Sequence, residues 1–404
     1  MKIARAEIFA LDLTDGATNP RHSSPWHPVI LRLTTDDGAT GLGEAGLAYG
    51  VGHNGAVGML RDFVSAFVIG RNPLEREKLW HDMQYRSFWG GASGPVIGAT
   101  MSAIDIAMWD LTGKILGQPV CNLLGGRVQD SLRCYASQIQ FCDRFGENWV
   151  NLTEPEEYAA SAISAVEAGY DAVKVDPITI DEDGDRESPH RLKGVLDKKI
   201  VNRGLRRMEA IRDAVGPDVD IILELHSLTS LSGAQQFIEA CAGLDLFMAE
   251  EAVSFNSSRP SRTLKQRMPH IRMTGGERIF TRWQFRSYLE DGSFDMLQPD
   301  FCLAGGISEG RKICDMAHAY EVTIQGHVCG SPISSAAAMH IETSIPNFQI
   351  HEHHVIATTE MNRRICQQDY QPQQGRFRVG DAPGLGLDLD EDYVRHHATV
   401  LEVA

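Results

Sequence analysis

The sequence predicts an α/β fold in which a parallel (β/α) barrel follows a smaller N-terminal α+β unit. Strand-like and helix-like segments alternate through the second half of the chain, and a polar side chain ends each of six strand-like runs. These side chains recur at intervals of 26, 27, 23, 27 and 25 residues, roughly the length of one strand, one helix and two loops. They are Glu224, Glu250, Glu277, Asp300, His327 and Glu352.

Residues 1–125 are predicted to form the α+β unit. The segments IARAEIFALDL and PVILRLTTDDGATGLGEA alternate in polarity as strands do, and the letters DDG mark a turn in the second. Apolar residues then recur at three- and four-residue intervals in AVGMLRDFVSAFVIG and ATMSAIDIAMWDLTGKILG, which indicates helices. A polar loop near residues 15–28 is too long for a hairpin, so we interpret it as a functional flap, and a second loop lies near residues 47–55.

The barrel is predicted to occupy residues 126–357. Seven or eight strand–helix units fit into this range, and an unusually long charged excursion follows the second strand, YDAVKV. Residues 358–404 lack the barrel periodicity and are rich in Gly and Gln. We expect this C-terminal segment to return to the N-terminal unit.

Composition limits the classes of binding partner and the cellular compartment that we expect for this protein. A net charge of −16 argues against nucleic-acid binding, because no basic stripe could offset it. No apolar run approaches the ~20 residues that span a bilayer, so no membrane association is expected. The eight cysteines are scattered without close pairs, and the N-terminus alternates like a strand rather than a signal peptide. These features predict a cytoplasmic protein.

Three carboxylates at the ends of buried strands indicate a metal site. Glu224, Glu250 and Glu277 follow apolar runs, and a buried carboxylate is costly unless it has a partner. A set of oxygen ligands without Cys or His suits Mg²⁺ better than Zn²⁺. The alternative is that these glutamates form salt bridges at the barrel rim. That alternative explains one such glutamate more easily than three in successive units.

Several segments together resemble one known family. They are TTDDGATGLGEA, MSAIDIAMWDLTGKILGQPVCNLLGG, AVKVDP, LELHS, MAEEAV, GGERIF, LQPDFCLAGGISEGRKICDMAHAY, GHVCGSPI and FQIHE. In this order they resemble the enolase superfamily, in its mandelate racemase group, and within it the galactonate-, gluconate- and mannonate-type acid-sugar dehydratases. The resemblance implies an N-terminal capping domain over a modified (β/α)8 TIM-like barrel, one Mg²⁺ per subunit, a small carboxylate substrate and a homo-oligomer between a dimer and an octamer.

The resemblance also implies roles for the residues that end the strands. Glu224, Glu250 and Glu277 match the metal ligands, although the first is more often Asp in the sugar-acid dehydratases. Asp300 and His327 match the dyad in which a carboxylate orients an imidazole that takes the proton next to the substrate carboxylate. A buried histidine satisfied by a neighbouring acid is the alternative reading of that pair.

Three further residues are candidates for the chemistry of the last steps. Glu352 matches the acid that holds the substrate carboxylate, and we expect it to be protonated or strongly hydrogen-bonded. His226 lies two residues after Glu224, so strand alternation places both on one face. We assign His226 as the general acid for the departing hydroxyl, with the alternative that it only holds Glu224. Lys174 matches the first lysine of a Lys-x-Lys motif and is expected beside the substrate carboxylate.

The second lysine of that motif is Asp176 here, which disfavours a two-base racemase. Asp176 could hold Lys174 or cap the start of the excursion, and we also count it among the substrate-binding candidates. Arg186 and His190 on the excursion could reach over the barrel mouth.

Substrate selection is expected from the two loops of the N-terminal unit. The flap carries His22, Ser23, Ser24, Trp26 and His27, and the second loop carries Tyr49, His53 and Asn54. We single out Trp26, His27, Tyr49 and His53, because hydroxyl-reading groups around an aromatic wall suit a polyol chain.

The resulting hypothesis is a Mg²⁺-dependent dehydratase of an aldonate or aldarate that yields a 2-keto-3-deoxy acid. One alternative is a racemase or epimerase of a 2-hydroxy acid or a related carboxylate. The other is a catalytically impaired homologue retained for sensing or regulation, which the presence of all the candidate ligands, acids and bases disfavours.

Overall fold

A computed structural model describes residues 1–13 and 26–404 of the protein. In it, the N-terminal part is an antiparallel sheet packed against helices. Its strands are β1 (Ile3–Leu11), β2 (Val29–Thr35) and β3 (Thr40–Ala45). Its helices are α1 (His53–Phe63), α2 (Arg76–Arg86), α3 (Pro95–Leu116) and α4 (Val120–Leu123). The sheet order is the C-terminal strand of the chain, β1, β2 and β3. Ile8 of β1 therefore pairs with Leu401 on one side and Leu31 on the other.

Helix α3 is the centre of this N-terminal part. It begins with Pro95, whose fixed φ suits a first turn, and it ends before Gly117, which adopts the left-handed conformation at φ 63°. Most of its residues are buried, as expected for a helix that is apolar on all sides. Strand β3 lies so close to α3 that a Cβ at Gly43 would overlap the backbone of Ala103, so glycine is required there.

Eight parallel strands with intervening helices form the barrel. Its first half consists, in chain order, of β4 (Leu132–Ser137), the hairpin of β5 (Cys142–Arg144) and β6 (Glu147–Trp149), α5 (Pro155–Glu167), β7 (Ala172–Val175), α6 (Lys198–Val215), β8 (Asp220–Glu224), α7 (Leu231–Ala240) and β9 (Leu246–Glu250). Its second half consists of α8 (Ser258–Arg267), β10 (Met273–Gly275), α9 (Thr281–Glu290), β11 (Met296–Leu297), α10 (Gly306–Ala319), β12 (Thr323–Ile324), α11 (Pro332–Ser344) and β13 (His351–His354). Neighbouring strands follow the order β12, β11, β10, β9, β8, β7, β4, β13. A parallel bridge from Ile324 of β12 to Phe348, just before β13, closes the ring.

The predicted fold class is confirmed, with one irregular unit. Strand β13 is followed only by a short 3-10 turn and helix α12, Glu360–Arg363, where the other strands are followed by longer helices. The chain then forms β14, α13 and β15, which are Arg376–Phe377, Glu391–His397 and Ala398–Val403. Strand β15 is the C-terminal strand that pairs with β1, so the end of the chain joins the N-terminal sheet.

Two buried carboxylates of the N-terminal part dock on barrel helices. Glu44 of β3 accepts hydrogen bonds from the Ser331 and Ser334 backbone N–H groups at the start of α11, at 2.9 and 3.1 Å. Asp105 of α3 accepts them from the Ser308 backbone and hydroxyl at the start of α10, at 2.8 and 2.6 Å. Helix N-termini favour negative charge, so these contacts hold the N-terminal part over the carboxyl ends of the barrel strands.

The excursion after β7 is anchored to the barrel by Arg207 of α6. This fully buried guanidinium donates to the carbonyl oxygens of Pro177 and Ile180, at 2.9 and 2.6 Å. All eight cysteines are buried free thiols. Among the described residues, no helix has the length and apolar character needed to cross a membrane.

Candidate active site

A cavity of about 780 Å³ lies at the carboxyl ends of the barrel strands. Its wall comes from the loops of the N-terminal part, from the barrel and from the C-terminal segment. Barrel side chains that line it include Lys174, His226, Glu277, Arg278, His327 and Glu352. The parallel strands bring these side chains together because their carboxyl ends share one edge of the barrel.

Glu224 and Glu250 stand side by side behind Lys174, which lines the cavity. They are paired across β8 and β9, and each side chain is at most 1% exposed. Burial, together with the neighbouring Glu224 charge, raises the pKa of Glu250 to about 8. The Oε2 atoms of both residues are buried and accept no hydrogen bond. Glu224 Oε2 also lies 3.4 Å from Lys174 Nζ, and two adjacent buried carboxylates whose Oε2 atoms accept no hydrogen bond fit a bound cation.

Glu277, the third predicted ligand, is turned to other partners. Its Oε2 lies 3.2 Å from His327 Nε2, and its Oε1 lies 3.3 Å from Arg278 Nε. Within residues 1–13 and 26–404, no group of three or more His, Cys, Asp or Glu side chains is arranged as a complete metal site. The structure thus brings two of the three predicted ligands together and pairs the third with the predicted base.

Lys174 and Glu352 form a buried ion pair in the cavity wall. Lys174 Nζ lies 2.8 Å from Glu352 and 2.5 Å from Glu250. Glu352 also accepts hydrogen bonds from the Ser137 hydroxyl at 2.6 Å and the Val328 backbone at 2.9 Å. Although burial opposes ionisation, the charges of Lys174 and His327 hold the pKa of Glu352 well below its ordinary value. Of the two expectations for Glu352, strong hydrogen bonding is the one that the structure shows, and every partner here donates to its carboxylate.

Asp300 and His327 form a buried dyad. Asp300 Oδ2 lies 2.8 Å from His327 Nδ1, so Nε2 is left facing Glu277. Burial alone would lower the pKa of His327, but the Glu277 and Asp300 carboxylates raise it to about 10. The other Asp300 oxygen accepts from the Cys302 backbone N–H at 2.7 Å, which fixes the carboxylate.

Asp176 and His226 form a second dyad, which the sequence did not predict. Asp176 Oδ2 lies 2.6 Å from His226 Nδ1, and Oδ1 accepts from the backbone N–H groups of Ile178 and Thr179. Asp176 therefore caps the start of the excursion, as one expectation held, and it orients His226 rather than contacting Lys174. It is fully buried and does not line the cavity, which speaks against direct contact with a substrate.

His226 reaches the cavity for a different reason from the one predicted. Strand β8 ends at Glu224, and His226 and Ser227 are left-handed, at φ 46° and 54°. This turn, not strand alternation, aims the imidazole into the cavity. The His226 backbone N–H donates to Glu224 Oε1 at 2.6 Å, so the residue also holds the predicted ligand.

The candidate specificity residues divide into two groups. Trp26 and Tyr49 line the cavity and are joined by an antiparallel bridge. His27 and His53 do not line it, because their rings stack on each other with centroids 4.3 Å apart. The flap residues His22, Ser23 and Ser24 lie outside the described residues. On the excursion, Arg186 lines the cavity and His190 does not.

Several cavity residues were missed by sequence reasoning. Gln138 follows β4 directly, so the rule that strand ends carry the site could have found it. Arg278 is adjacent to Glu277 and was masked by it. The C-terminal residues carry no local signal, because only the return of the chain brings them to the cavity; they are Ile356, Thr359, Glu360, Met361, Arg364, Tyr393 and His397.

Family models match both parts of the chain. The model described as enolase C-terminal domain-like matches residues 157–393, which is more than half of the sequence. The model described as the mandelate racemase / muconate lactonizing enzyme N-terminal domain matches residues 20–125. The chain belongs to the enolase superfamily. The resemblance to its mandelate racemase group is thereby confirmed.

Relatives and solved structures agree with this membership. The chain is 30% identical to a D-galactonate dehydratase of Ralstonia pickettii, over 91% of this chain and 90% of the relative. It is 30% identical to a D-xylonate dehydratase of Haloferax volcanii, over 97% and 90%. A member of the enolase superfamily from Salmonella Typhimurium superposes with a TM-score of 0.93 at 43% identity, covering 100% of both chains.

Proposed function

We propose that this superfamily member is a Mg²⁺-dependent dehydratase of an aldonate or aldarate. The observation that carries the proposal is the presence of two carboxylate-oriented imidazoles, His327 and His226, at one cavity beside paired acidic side chains. Strands β8 and β12, which precede these histidines, are four places apart in a ring of eight. The imidazoles therefore approach a substrate from opposite sides. The names of the galactonate and xylonate relatives support the same substrate class.

Glu224, Glu250 and Glu277 would hold the metal. The Oε2 atoms of the first two accept no hydrogen bond and fit a cation, for which Glu224 would give up its contact with Lys174 and Glu277 its contact with His327. A bound Mg²⁺ would withdraw charge from the substrate carboxylate and make the neighbouring C–H group more acidic. An oxygen-only ligand set is the type that Mg²⁺ prefers.

The proton transfers fall to the two histidines. His327 Nε2, once released from Glu277, takes the proton from the carbon next to the carboxylate, and Asp300 stabilises the imidazolium that forms. The electron pair of that C–H bond moves toward the carboxylate. It then forms a C=C bond as the 3-hydroxyl departs as water with a proton from His226. The enol that results tautomerises to a 2-keto-3-deoxy acid, while Lys174 holds a fixed positive charge in the cavity wall.

We extend the proposal to the organisation and location of the enzyme. Residues 1–125 would be the capping domain, 126–357 the catalytic barrel and 358–404 the segment that returns to the cap. The eight free, buried thiols support a reducing compartment such as the cytoplasm. A homo-oligomer between a dimer and an octamer follows from the family resemblance.

A panel of aldonates and aldarates tests the proposal. The enzyme with Mg²⁺ is expected to form a 2-keto acid from at least one of them, detected as a semicarbazone, and EDTA is expected to abolish it. Mg²⁺ should also raise the thermal unfolding midpoint of the wild type but not of Glu250→Gln, because a ligand that binds the folded state stabilises it. Glu321→Gln, a surface substitution, is the matched control. Absence of product across the panel with Mg²⁺ present would contradict the proposal.

Racemisation or epimerisation is the second candidate, and the two opposed dyads favour it. Asp176 occupies the place of the second lysine, but it orients His226, so an imidazole stands where a second base is needed. The two reactions differ in D2O. A racemase incorporates deuterium next to the carboxylate without loss of water, whereas a dehydratase releases a 2-keto product.

A further inference from the structure

Four residues that follow β4, β7 and β8 form a closed ring of hydrogen bonds, which includes one backbone N–H group. The Asp176 backbone N–H donates to Gln140 Oε1 at 3.3 Å, and Gln140 Nε2 donates to Gln138 Oε1. Gln138 Nε2 lies 3.3 Å from His226 Nε2, and His226 Nδ1 lies 2.6 Å from Asp176 Oδ2. We infer that Gln138 and Gln140 are positioning residues, which hold His226 as the tautomer whose Nε2 accepts and whose Nδ1 carries the proton.

The direction of every bond in the ring follows from one donor. A backbone N–H can only donate, so the Gln140 atom that faces Asp176 is its oxygen. The Gln140 amide nitrogen therefore faces Gln138 and donates to its oxygen, which leaves the Gln138 amide nitrogen facing His226. An N–H group cannot donate to another N–H group, so Nε2 of His226 carries a lone pair. Its proton lies on Nδ1 and points to the Asp176 carboxylate.

Burial and backbone strain show that the ring is a built arrangement. Gln140 and Asp176 are completely buried and Gln138 is 4% exposed, so a broken bond in the ring would leave a polar group without water. Gln138 adopts the left-handed conformation, φ 65° and ψ 46°, which is strained for a residue that has a Cβ atom. The strain places its amide at the cavity wall beside His226.

This inference deepens the proposed dehydration and rests on it for its catalytic meaning. With Nε2 as an acceptor, the first hydrogen bond that His226 makes to a substrate is one that a hydroxyl donates. Protonation of the departing hydroxyl then requires a proton to reach Nε2 beforehand. The imidazole side chain is 31% exposed, so water in the cavity can deliver it. Gln138 thus holds the place that a substrate hydroxyl takes.

The tautomer can be measured without substrate by ¹⁵N NMR of the full chain labelled in its histidine rings. The His226 signals are identified by their absence in His226→Asn. The wild type is expected to show a protonated Nδ1 and an unprotonated Nε2. A protonated Nε2 with a bare Nδ1 would overturn the inference, whatever the outcome of the substrate panel. A correct tautomer without any product would instead leave the ring standing and remove the proposed function.

Gln140→Glu is designed to reverse the ring. Its carboxylate still accepts from the Asp176 N–H but cannot donate to Gln138, so the Gln138 amide turns and presents its oxygen to His226. Nε2 is then expected to carry a proton, and kcat is expected to change at least tenfold while KM stays within about twofold. Gln140→Met, which removes the bonds at similar volume, should show mixed tautomers if Gln140→Glu fails to fold.

Gln84→Glu is the matched control, because Gln84 is 7% exposed but lies on α2 of the N-terminal part. It introduces a carboxylate at a similarly buried glutamine and is expected to leave the His226 signals unchanged. If Gln84→Glu and Gln140→Glu shift the His226 signals equally, the ring does not determine the tautomer.

Discussion

The two Asp–His pairs at the cavity use the same contact in different surroundings. Asp300–His327 spans 2.8 Å and Asp176–His226 spans 2.6 Å, and both join Nδ1 to a carboxylate oxygen. The His327 side chain is 6% exposed and faces a second carboxylate, Glu277, through Nε2. The His226 side chain is 31% exposed and faces an amide donor, Gln138.

The difference shows that the group in contact with Nε2 determines whether that nitrogen carries a proton in the substrate-free protein. A carboxylate at Nε2 favours a proton there, because it stabilises the positive ring. An amide N–H at Nε2 favours a lone pair there. In the proposed reaction, Nε2 of His327 can therefore take the α-proton only after Glu277 has turned away, and Nε2 of His226 must first gain the proton that it later donates.

Removal of the two imidazoles should separate their roles most strongly. His327→Asn is expected to lower both product formation and exchange of the α-proton with D2O by about 10³-fold, since a positioned base contributes about 10²–10⁴-fold. His226→Asn is expected to abolish product formation to a similar degree but to keep exchange within tenfold. Mass spectrometry of recovered substrate measures exchange. Equal loss of exchange in both variants would contradict the division of roles.

Removal of the two aspartates should give a smaller and unequal loss. Asp300→Asn leaves a buried imidazole without its orienting carboxylate, so kcat is expected to fall about 10²- to 10³-fold. Asp176→Asn is expected to cost about tenfold, because Gln138 still contacts His226 and water reaches the ring. Steady-state kinetics on the best substrate of the panel provides the comparison, and a larger loss in Asp176→Asn would reverse it.

Glu44, a buried carboxylate near Asp300, should make the stability of the fold depend on pH. Burial, and to a smaller extent the Asp300 charge, raises the pKa of Glu44 from 4.5 to about 7. The folded state therefore binds this proton more tightly, and its contribution is complete below pH 4.5 and is lost as the pH rises to 7. The loss is about 3 kcal/mol.

The substitution Glu44→Gln should remove that loss. The wild type in EDTA is expected to lose more thermal stability between pH 5 and pH 8 than the variant does. Asp105→Asn is the matched comparison, because burial raises the pKa of Asp105 to about 7 as well, at a helix start farther along the same interface. Identical pH dependence in the wild type and Glu44→Gln would show that Glu44 titrates normally.

The smallest effect is expected at Tyr49, in the loop between β3 and α1. Tyr49 lines the cavity together with Glu277, and Tyr49 is 40% exposed. Tyr49→Phe removes one hydroxyl, so KM is expected to rise about threefold to tenfold with kcat within twofold, in line with about 0.5–1.5 kcal/mol for one hydrogen bond. A fall in kcat with unchanged KM would move Tyr49 from binding to catalysis.

How far the site could be predicted depended on where each residue lies in the repeat. Glu224, Glu250, Asp300 and His327 end four of the strand units, and the structure brings them to the same end of the barrel, where His327 lines the cavity. The partner of Asp176 could not be predicted, because it lies 50 residues away in the turn after another strand. Glu277 was expected with the other two glutamates, and only the three-dimensional arrangement revealed its contact with His327.

The sequence by itself determined the architecture and the edge of the barrel that carries the polar side chains. It does so because strands and helices alternate at a regular interval, and that interval can be recognised in the sequence without knowing which residues are in contact. The tertiary structure alone decided which nitrogen of each imidazole faces which partner and which loops close the cavity. Those outcomes depend on left-handed turns at Gln138 and His226 and on the return of the C-terminal strand to β1, and neither leaves a local pattern in the chain.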